Sequence, residues 1–238
     1  MPKQVLTGIV LRTVDYRESD RILSVFTKER GLVAVSSRGC RKQTSKLAAF
    51  SSQFCYGEME VTERAGKLQL TSASLLQSFY PIRESYEQLV SATRAVKIVE
   101  RLIVPDYVNE QLLLLLYNVL SVIAYGDNEP KDIELCFLAK LLKLAGYTPV
   151  MTSCVKCGKD LRGYKQLRFS AELGGALCEN CAGKFMYTSA RSMEALRRMI
   201  PIDLGDIRRV KLPEDVRREL EPLLYNYAEY VMDISIKM

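Results

Sequence analysis

A chain of 238 residues, 48% hydrophobic and 26% charged, can bury the core of one or two domains and has neither a disordered nor a membrane-spanning composition. Its 34 Lys and Arg against 28 Asp and Glu leave a net charge of +6, and it contains no histidine. That absence removes the side chain most used for acid–base work near neutral pH, and with it every Ser/His/Asp or Cys/His arrangement.

The opening residues, MPKQVLTGIVLRTVDYRESD, lack the apolar core of a secretory signal and alternate like a strand, which predicts a cytoplasmic protein. Residues 5–14, 21–27, 32–38, 53–63 and 68–74 are rich in β-branched side chains and are separated by turn chemistry, so five strands are expected. The separators are DYRES, the turn Glu29-Arg30-Gly31, a basic stretch over 39–50 with room for one short helix, and the hairpin Arg64-Ala65-Gly66-Lys67, where Gly66 supplies positive φ. A longer excursion between the third and fourth strands is the order of a five-stranded OB barrel. Such barrels bind oligonucleotides on one face and through the loops joining strands 1–2 and 4–5. Those loops hold Arg17 on one side and Arg64 and Lys67 on the other.

The charge is unevenly spread. Residues 1–80 carry 12 Lys and Arg against 7 Asp and Glu, whereas residues 81–238 carry 22 against 21. Between Glu29 and Glu58 there is no acidic residue, while Arg30, Arg38, Arg41, Lys42 and Lys46 fall there. A one-signed patch attracts polyanions through counterion release. Taken alone, the run also reads as a solvated loop; its place on an OB barrel favours nucleic acid. Phe26, Phe50, Phe54 and Tyr56 are candidates to stack on bases, although strand aromatics usually pack the interior.

After Pro81 the period becomes helical. Ile82, Leu89, Ala92, Val96, Val99 and Ile103 form one stripe, and a second domain is expected over 81–238 beside the first at 1–80. Asn109 and Glu110 open a leucine-rich helix closed by Gly126, Asp127 and Asn128; its apolar run LLLLLYNVLSVIAYG is too short for a bilayer and reads as a fully buried core helix. Residues 131–145 form another. Ser189 caps a helix over 190–199, and Pro213 starts a last one toward Met232, kinked at Pro222. Cys40, Cys55 and Cys136 have no close partner in sequence and read as reduced, buried small hydrophobes, and Gly174-Gly175 is an isolated pair rather than a phosphate loop.

Cys154-x-x-Cys157, 20 residues, then Cys178-x-x-Cys181 has the spacing of a four-cysteine zinc site, in which two tight turns aim four sulfurs at one ion. Four thiolates leave no position for water, so one structural Zn2+ is expected, ordering a ribbon at about 150–185 that has few large apolar side chains. Lys156, Lys159, Arg162, Lys165 and Arg168 read as its soluble surface.

GIVLRTVDYRESDRILSVFTKERGLV, SRGCRKQTSKL, and AKLLKLAGYTPVMTSCVKCGK leading into FSAELGGALCENC, taken in that order, resemble the bacterial RecO family, recombination mediators of DNA repair. Residues 186–238 match only loosely. The resemblance implies an α+β multidomain fold: an N-terminal five-stranded OB barrel followed by an all-α helical domain with an inserted four-cysteine zinc ribbon. It implies a non-enzymatic, nucleoid-associated bacterial protein that binds single- and double-stranded DNA, anneals complementary strands, contacts the C-terminal tail of single-strand-binding protein, and works with RecR to load RecA. It implies no membrane partner. The family's basic stretch falls on Arg38, Arg41, Lys42 and Lys46, with Arg38-Gly39 where a lysine-glycine pair is common. With the barrel positions Arg12, Arg17, Arg21, Arg64 and Lys67, these complete the expected DNA-binding set. The tail's pocket carries over to no numbered position. Three rivals stand beside this reading: a zinc-ribbon RNA-binding protein of transcription or translation, a thiol enzyme using one CxxC, and a protein-binding scaffold.

Overall fold

The computed structural model describes residues 3–104 and 107–236. Five strands, β1 (Lys3–Tyr16), β2 (Asp20–Thr27), β3 (Gly31–Ser37), β4 (Tyr56–Arg64) and β5 (Lys67–Gln77), close into a barrel in the order β1-β2-β3-β5-β4. Every pairing is antiparallel except β3 with β5, where Val35 lies beside Leu68 and Ser36 beside Gln69. This is the OB order. Strand side chains alternate, so Leu6, Val10, Leu23, Val25, Val35, Met59, Val61 and Leu70 turn inward together and form the barrel core.

The excursion between β3 and β4 contains no helix among the described residues. Its chain folds in successive turns, with Lys42 N donating to Gly39 O, Ser45 N to Lys42 O and Ala48 N to Ser45 O. Ser45 Oγ also accepts from Leu47 N, a side-chain bond that competes with helical pairing. Leu47 and Phe50 then plug the barrel core. Residues 53–55, expected in the fourth strand, instead bond to β1 at its bulge: Phe54 N donates to Val10 O and Val10 N to Cys55 O. The β4–β5 turn has positive φ at both Ala65 (49°) and Gly66 (72°), the twist a two-residue hairpin needs.

The chain forms two compact units, residues 1–89 with 96–125, and residues 90–95 with 126–238. α1 (Tyr86–Leu102) begins at Ser85, whose hydroxyl accepts from Gln88 N. Of its expected stripe Ala92, Val96 and Val99 are buried, while Leu89 is exposed and Ile82 belongs to a short 3-10 turn before the helix. In the first unit, α2 (Glu110–Tyr125) is capped by Asn109 Oδ1, which accepts from Leu112 N. It is not fully buried as expected: Leu114 and Tyr125 stand in solvent, so it is a surface helix with a wide apolar face.

In the second unit, α3 (Pro130–Leu144) packs against α4 (Ala190–Met199) and α5 (Glu214–Met232). Buried Asp132 on α3 accepts from Leu212 N at 2.8 Å and Arg217 Nε at 2.7 Å, locking the start of α5. Ser189 caps α4, and Pro222 lies inside α5. Between α3 and α4 a three-stranded sheet, β6 (Gln166–Ser170), β7 (Gly175–Leu177) and β8 (Met186–Ser189), runs in the order β7-β6-β8. No described helix is long and apolar enough to cross a membrane.

Candidate nucleic-acid interface and metal centre

Four of the barrel's cations, Arg17, Arg21, Arg38 and Arg41, gather at the end where β1 turns into β2. Asp20 Oδ1 accepts from Gly39 N at 2.8 Å, and Arg41 N donates to Ser19 O at 3.0 Å, so the turn-rich stretch after β3 is tied to the β1–β2 turn. That draws Arg38 and Arg41 to Arg17 and Arg21. Two carboxylates sit among them. Asp15 is held below the usual carboxylate range first by its hydrogen bond from Arg21, then by the nearby charge of Arg41. Asp20 is lowered first by the Gly39 N–H, with Arg17 and Arg38 adding to it.

The nine expected DNA-binding residues therefore divide. Arg21 bonds Asp15 at 2.9 Å and Ser51 O at 2.7 Å, half-buried beneath the loop, and Arg41 reaches Asp15 at 3.4 Å. Arg12 pairs with Glu100 at 3.2 Å. Arg17, Arg38, Lys42, Lys46, Arg64 and Lys67 are exposed, and among the described residues none has a carboxylate within ion-pair distance. Arg64 and Lys67 sit apart from the loop cluster, on a hairpin that enters the sheet beside Val35.

Register then shows which side of the sheet these cations border. Val14 pairs with Ile22, Tyr16 with Asp20, Ile22 with Ser36 and Ser24 with Ala34; directly paired residues share a face. Opposite them, Leu23 and Val35 point into the core. The outer face thus carries Tyr16, Val14 and Ile22 exposed at 46%, 47% and 37%, bordered by Arg12 and Arg17. The four aromatics weighed as stacking candidates do not reach it, and three pack the interior as strand aromatics usually do: Phe26, Phe50 and Phe54 are buried, and Tyr56 packs edge-on against Tyr117 at 4.8 Å. Tyr16 was hidden in the sequence because DYRES reads as a loop, whereas β1 runs on through Asp15 and Tyr16.

The four cysteines of the ribbon converge. Sγ of Cys154, Cys157, Cys178 and Cys181 all lie within 4.8 Å of one another, and Cys157 and Cys178 are 3.7 Å apart. A tetrahedral ion with 2.3 Å bonds to sulfur has an edge of about 3.8 Å. The first turn is closed by Gly158 N donating to Cys154 O at 2.8 Å, with Gly158 at φ +73°, and the second by Cys181 N donating to Cys178 O at 3.0 Å. Burial pushes the Cys154 thiol up, yet the backbone N–H groups of Cys178, Cys157 and Lys156 outweigh it and bring it to about 6. Cys181 is pushed up to about 12 by desolvation and by the sulfurs of Cys157, Cys178 and Cys154. Four thiolates so close repel unless a cation sits among them, so the residues fit a metal ion.

Gly174-Gly175, uninformative in the sequence, supports this centre. Val150 N donates to Gly174 O, Ala176 N to Val150 O and Val155 N to Ala176 O, clamping the first cysteine turn onto β7. A Cβ on Gly175 would collide with the Val150 carbonyl.

A groove of about 460 Å³ lies between α4 and the segment leading into α5. Met199, Ile202 and Val216 line its floor, with Arg191, Arg198 and Lys211 at its rim. Those cations pair with the acids Asp215, Glu194 and Asp127.

Comparison with known proteins agrees with the fold. The family model described as Recombination protein O N terminal matches residues 1–79, and Recombination protein O C terminal matches residues 83–237. Curated DNA repair protein RecO sequences are similar over nearly the whole length. That of Exiguobacterium sp. is 32% identical over 98% of this chain and 93% of its own, that of Anaeromyxobacter dehalogenans 31% over 97% and 92%, and that of Desulforamulus reducens 30% over 98% and 91%. With its barrel, helices and four-cysteine ribbon in the same order as those two matched regions, the chain belongs to the RecO family of DNA repair proteins.

Proposed function

We propose that this chain is a non-enzymatic recombination mediator acting in the bacterial cytoplasm at the nucleoid. Residues 1–80 form its DNA-binding domain, and residues 81–238 its partner domain. It binds single- and double-stranded DNA, anneals complementary strands, and with RecR helps load RecA onto DNA coated with single-strand-binding protein. The observation that supports this most is the convergence of Arg17, Arg21, Arg38 and Arg41 at one barrel end, with Lys42 and Lys46 exposed on the stretch beside them.

Lysine and arginine on phosphates hold a strand in place without reading its sequence. Neutralising two strands together lowers their mutual repulsion, and complementary bases can then meet. Arg21, half-buried and tied to Asp15 and Ser51 O, positions the loop, while Arg17, Arg38, Arg41, Lys42 and Lys46 are exposed and meet the backbone directly. Arg64 and Lys67 extend the track along β5. The second unit's groove, apolar in its floor and rimmed by Arg191, Arg198 and Lys211, each able to exchange its present acid for a visitor's, suits an acidic tail with an apolar end, the chemistry of the single-strand-binding protein's C-terminus.

One Zn2+ held by Cys154, Cys157, Cys178 and Cys181 would supply structure only, since four sulfurs fill a tetrahedron.

The test is single-stranded DNA binding across a salt series, comparing the native protein with a variant carrying Arg38→Ala, Arg41→Ala, Lys42→Ala and Lys46→Ala. Each phosphate that the protein no longer neutralises flattens the log–log slope by about 0.7, so the variant's slope is expected to be shallower by about 3, with annealing abolished. An unchanged slope would remove the barrel end as the DNA face. Preference for RNA over DNA would support the transcription or translation reading instead.

A further inference from the structure

The outer barrel face carries more than charge, and its occupant can be read from what borders it. Tyr16, Val14 and Ile22 form an exposed apolar strip on neighbouring strands, a costly arrangement in water unless something covers it. Arg12 beside it is paired with Glu100 and Asp20 lies opposite Tyr16, but Arg17 and Arg38 have no carboxylate within ion-pair distance among the described residues, and this pair favours an anion with apolar surface over a cationic or purely apolar visitor. Duplex DNA hides its base faces in the stack. An unpaired strand presents both a phosphate backbone and flat apolar rings.

We infer that Tyr16, on a floor of Val14 and Ile22, is a stacking platform for the unpaired bases of a single strand and gives the barrel its preference for single strands over duplex.

The geometry suits that role. Arg17 adopts a left-handed backbone, φ 56°, which folds its guanidinium back to 5.2 Å from the centre of the Tyr16 ring. The cation holds the ring from one side, while nearly half the side chain stays exposed. β pairing from Tyr16 to Asp20, and the bond from Gly39 N to Asp20, fix the strand end that carries the ring, so little is left to order when a base arrives. A base held there keeps its pairing edge free, which a protein that anneals strands requires.

This inference rests on the barrel being the DNA face, and the experiment separates the two. Binding to a single strand, to a duplex and to an abasic deoxyribose-phosphate strand of equal length is measured across salt for the native protein, Tyr16→Phe, Tyr16→Ala and Arg17→Ala/Arg38→Ala. Thermal melts verify that each variant folds.

Tyr16→Ala is expected to lose about 5- to 150-fold in single-strand affinity, the range measured for one base–aromatic stack, with duplex affinity, abasic-strand affinity and salt slope unchanged. Tyr16→Phe should keep the native ratio, because the ring and not the hydroxyl does the stacking. If Tyr16→Ala leaves single-strand affinity intact while the arginine variant flattens the slope, the face holds phosphates alone and the platform is wrong. Equal loss on the abasic strand would equally overturn it, since nothing there can stack. Should the arginine variant also leave every slope unchanged, the barrel is not the DNA face. A change in self-association alone would assign the strip to a second copy of the chain.

Discussion

Glu134 on α3 is fully buried and ionisable, and its surroundings pull in two directions. Burial raises its affinity for a proton above the usual glutamate range; Lys131 at 3.0 Å, Arg94 at 3.7 Å and the Ser91 hydroxyl at 2.9 Å oppose that without cancelling it. Both cations also lie over the Tyr225 ring, at 5.5 and 5.9 Å. A carboxyl whose folded pKa is raised adds stability below its unfolded value, near 4.5, and that contribution is lost as pH rises through the higher folded value. Glu134→Gln keeps the shape and the bond to Ser91 but cannot ionise, so its thermal midpoint at pH 7–8 should equal or exceed the native one and vary less between pH 5 and 8. Glu134→Ala leaves Arg94 without this carboxylate and Lys131 with Glu221 alone, and should cost about 1–3 kcal/mol. Equal damage from both substitutions would contradict this account. None of it was legible in the sequence, where Glu134 is one charge among many on a helical repeat. The partners of Arg12, Arg21 and Arg41 were hidden for the same reason: Glu100 and Asp15 become counter-ions only once the chain has folded.

Elements were far easier to read than residues. Alternation and turn chemistry predicted five strands in OB order, and Asn109 and Ser189 cap the helices expected after them. The failures lie where side-chain bonds compete with the backbone pattern, as at Ser45, or where a strand outlasts its own turn signal, as at Asp15-Tyr16. The cysteine cluster was legible because metal geometry requires fixed spacing. Its supporting clamp from Val150 to Gly174 and Ala176 was not, because it joins segments about 25 residues apart by backbone alone. That dependence predicts what metal removal does. Chelation should release one Zn2+ per chain and expose four thiols to a maleimide or disulfide reagent, while Cys40, Cys55 and Cys136 stay protected by burial. Amide exchange over 150–189 should quicken by orders of magnitude, and exchange in β1–β5 should hardly change. Faster exchange through the barrel as well would show the ion to be a fold-wide requirement rather than a local pin.

At the scale of the whole molecule the question is whether net charge or its placement makes the DNA face. The ribbon carries more cations than the barrel loop, and four of them, Lys156, Lys159, Arg162 and Lys165, are exposed. Removing those four changes the net charge by the same amount as removing Arg38, Arg41, Lys42 and Lys46. Long-range attraction that depended on total charge would respond equally to both. Counterion release responds only where phosphate is touched, and screening at 0.15 M ionic strength reaches about 8 Å. The ribbon cations are also diluted by acids: Arg162 is paired with Asp160, and Glu172 and Glu179 stand exposed on the same ribbon. The barrel loop has no acid of its own between residues 30 and 57, and of its four cations only Arg41 reaches a carboxylate among the described residues, Asp15. The ribbon variant, with all four changed to alanine, should therefore keep its salt slope within about 0.5 and still anneal complementary strands, whereas the barrel variant drops by about 3 in slope and fails to anneal. The reverse result would move the DNA face to the ribbon, and equal losses would mean that the protein acts as a diffuse polycation whose folded barrel contributes nothing specific to holding a strand.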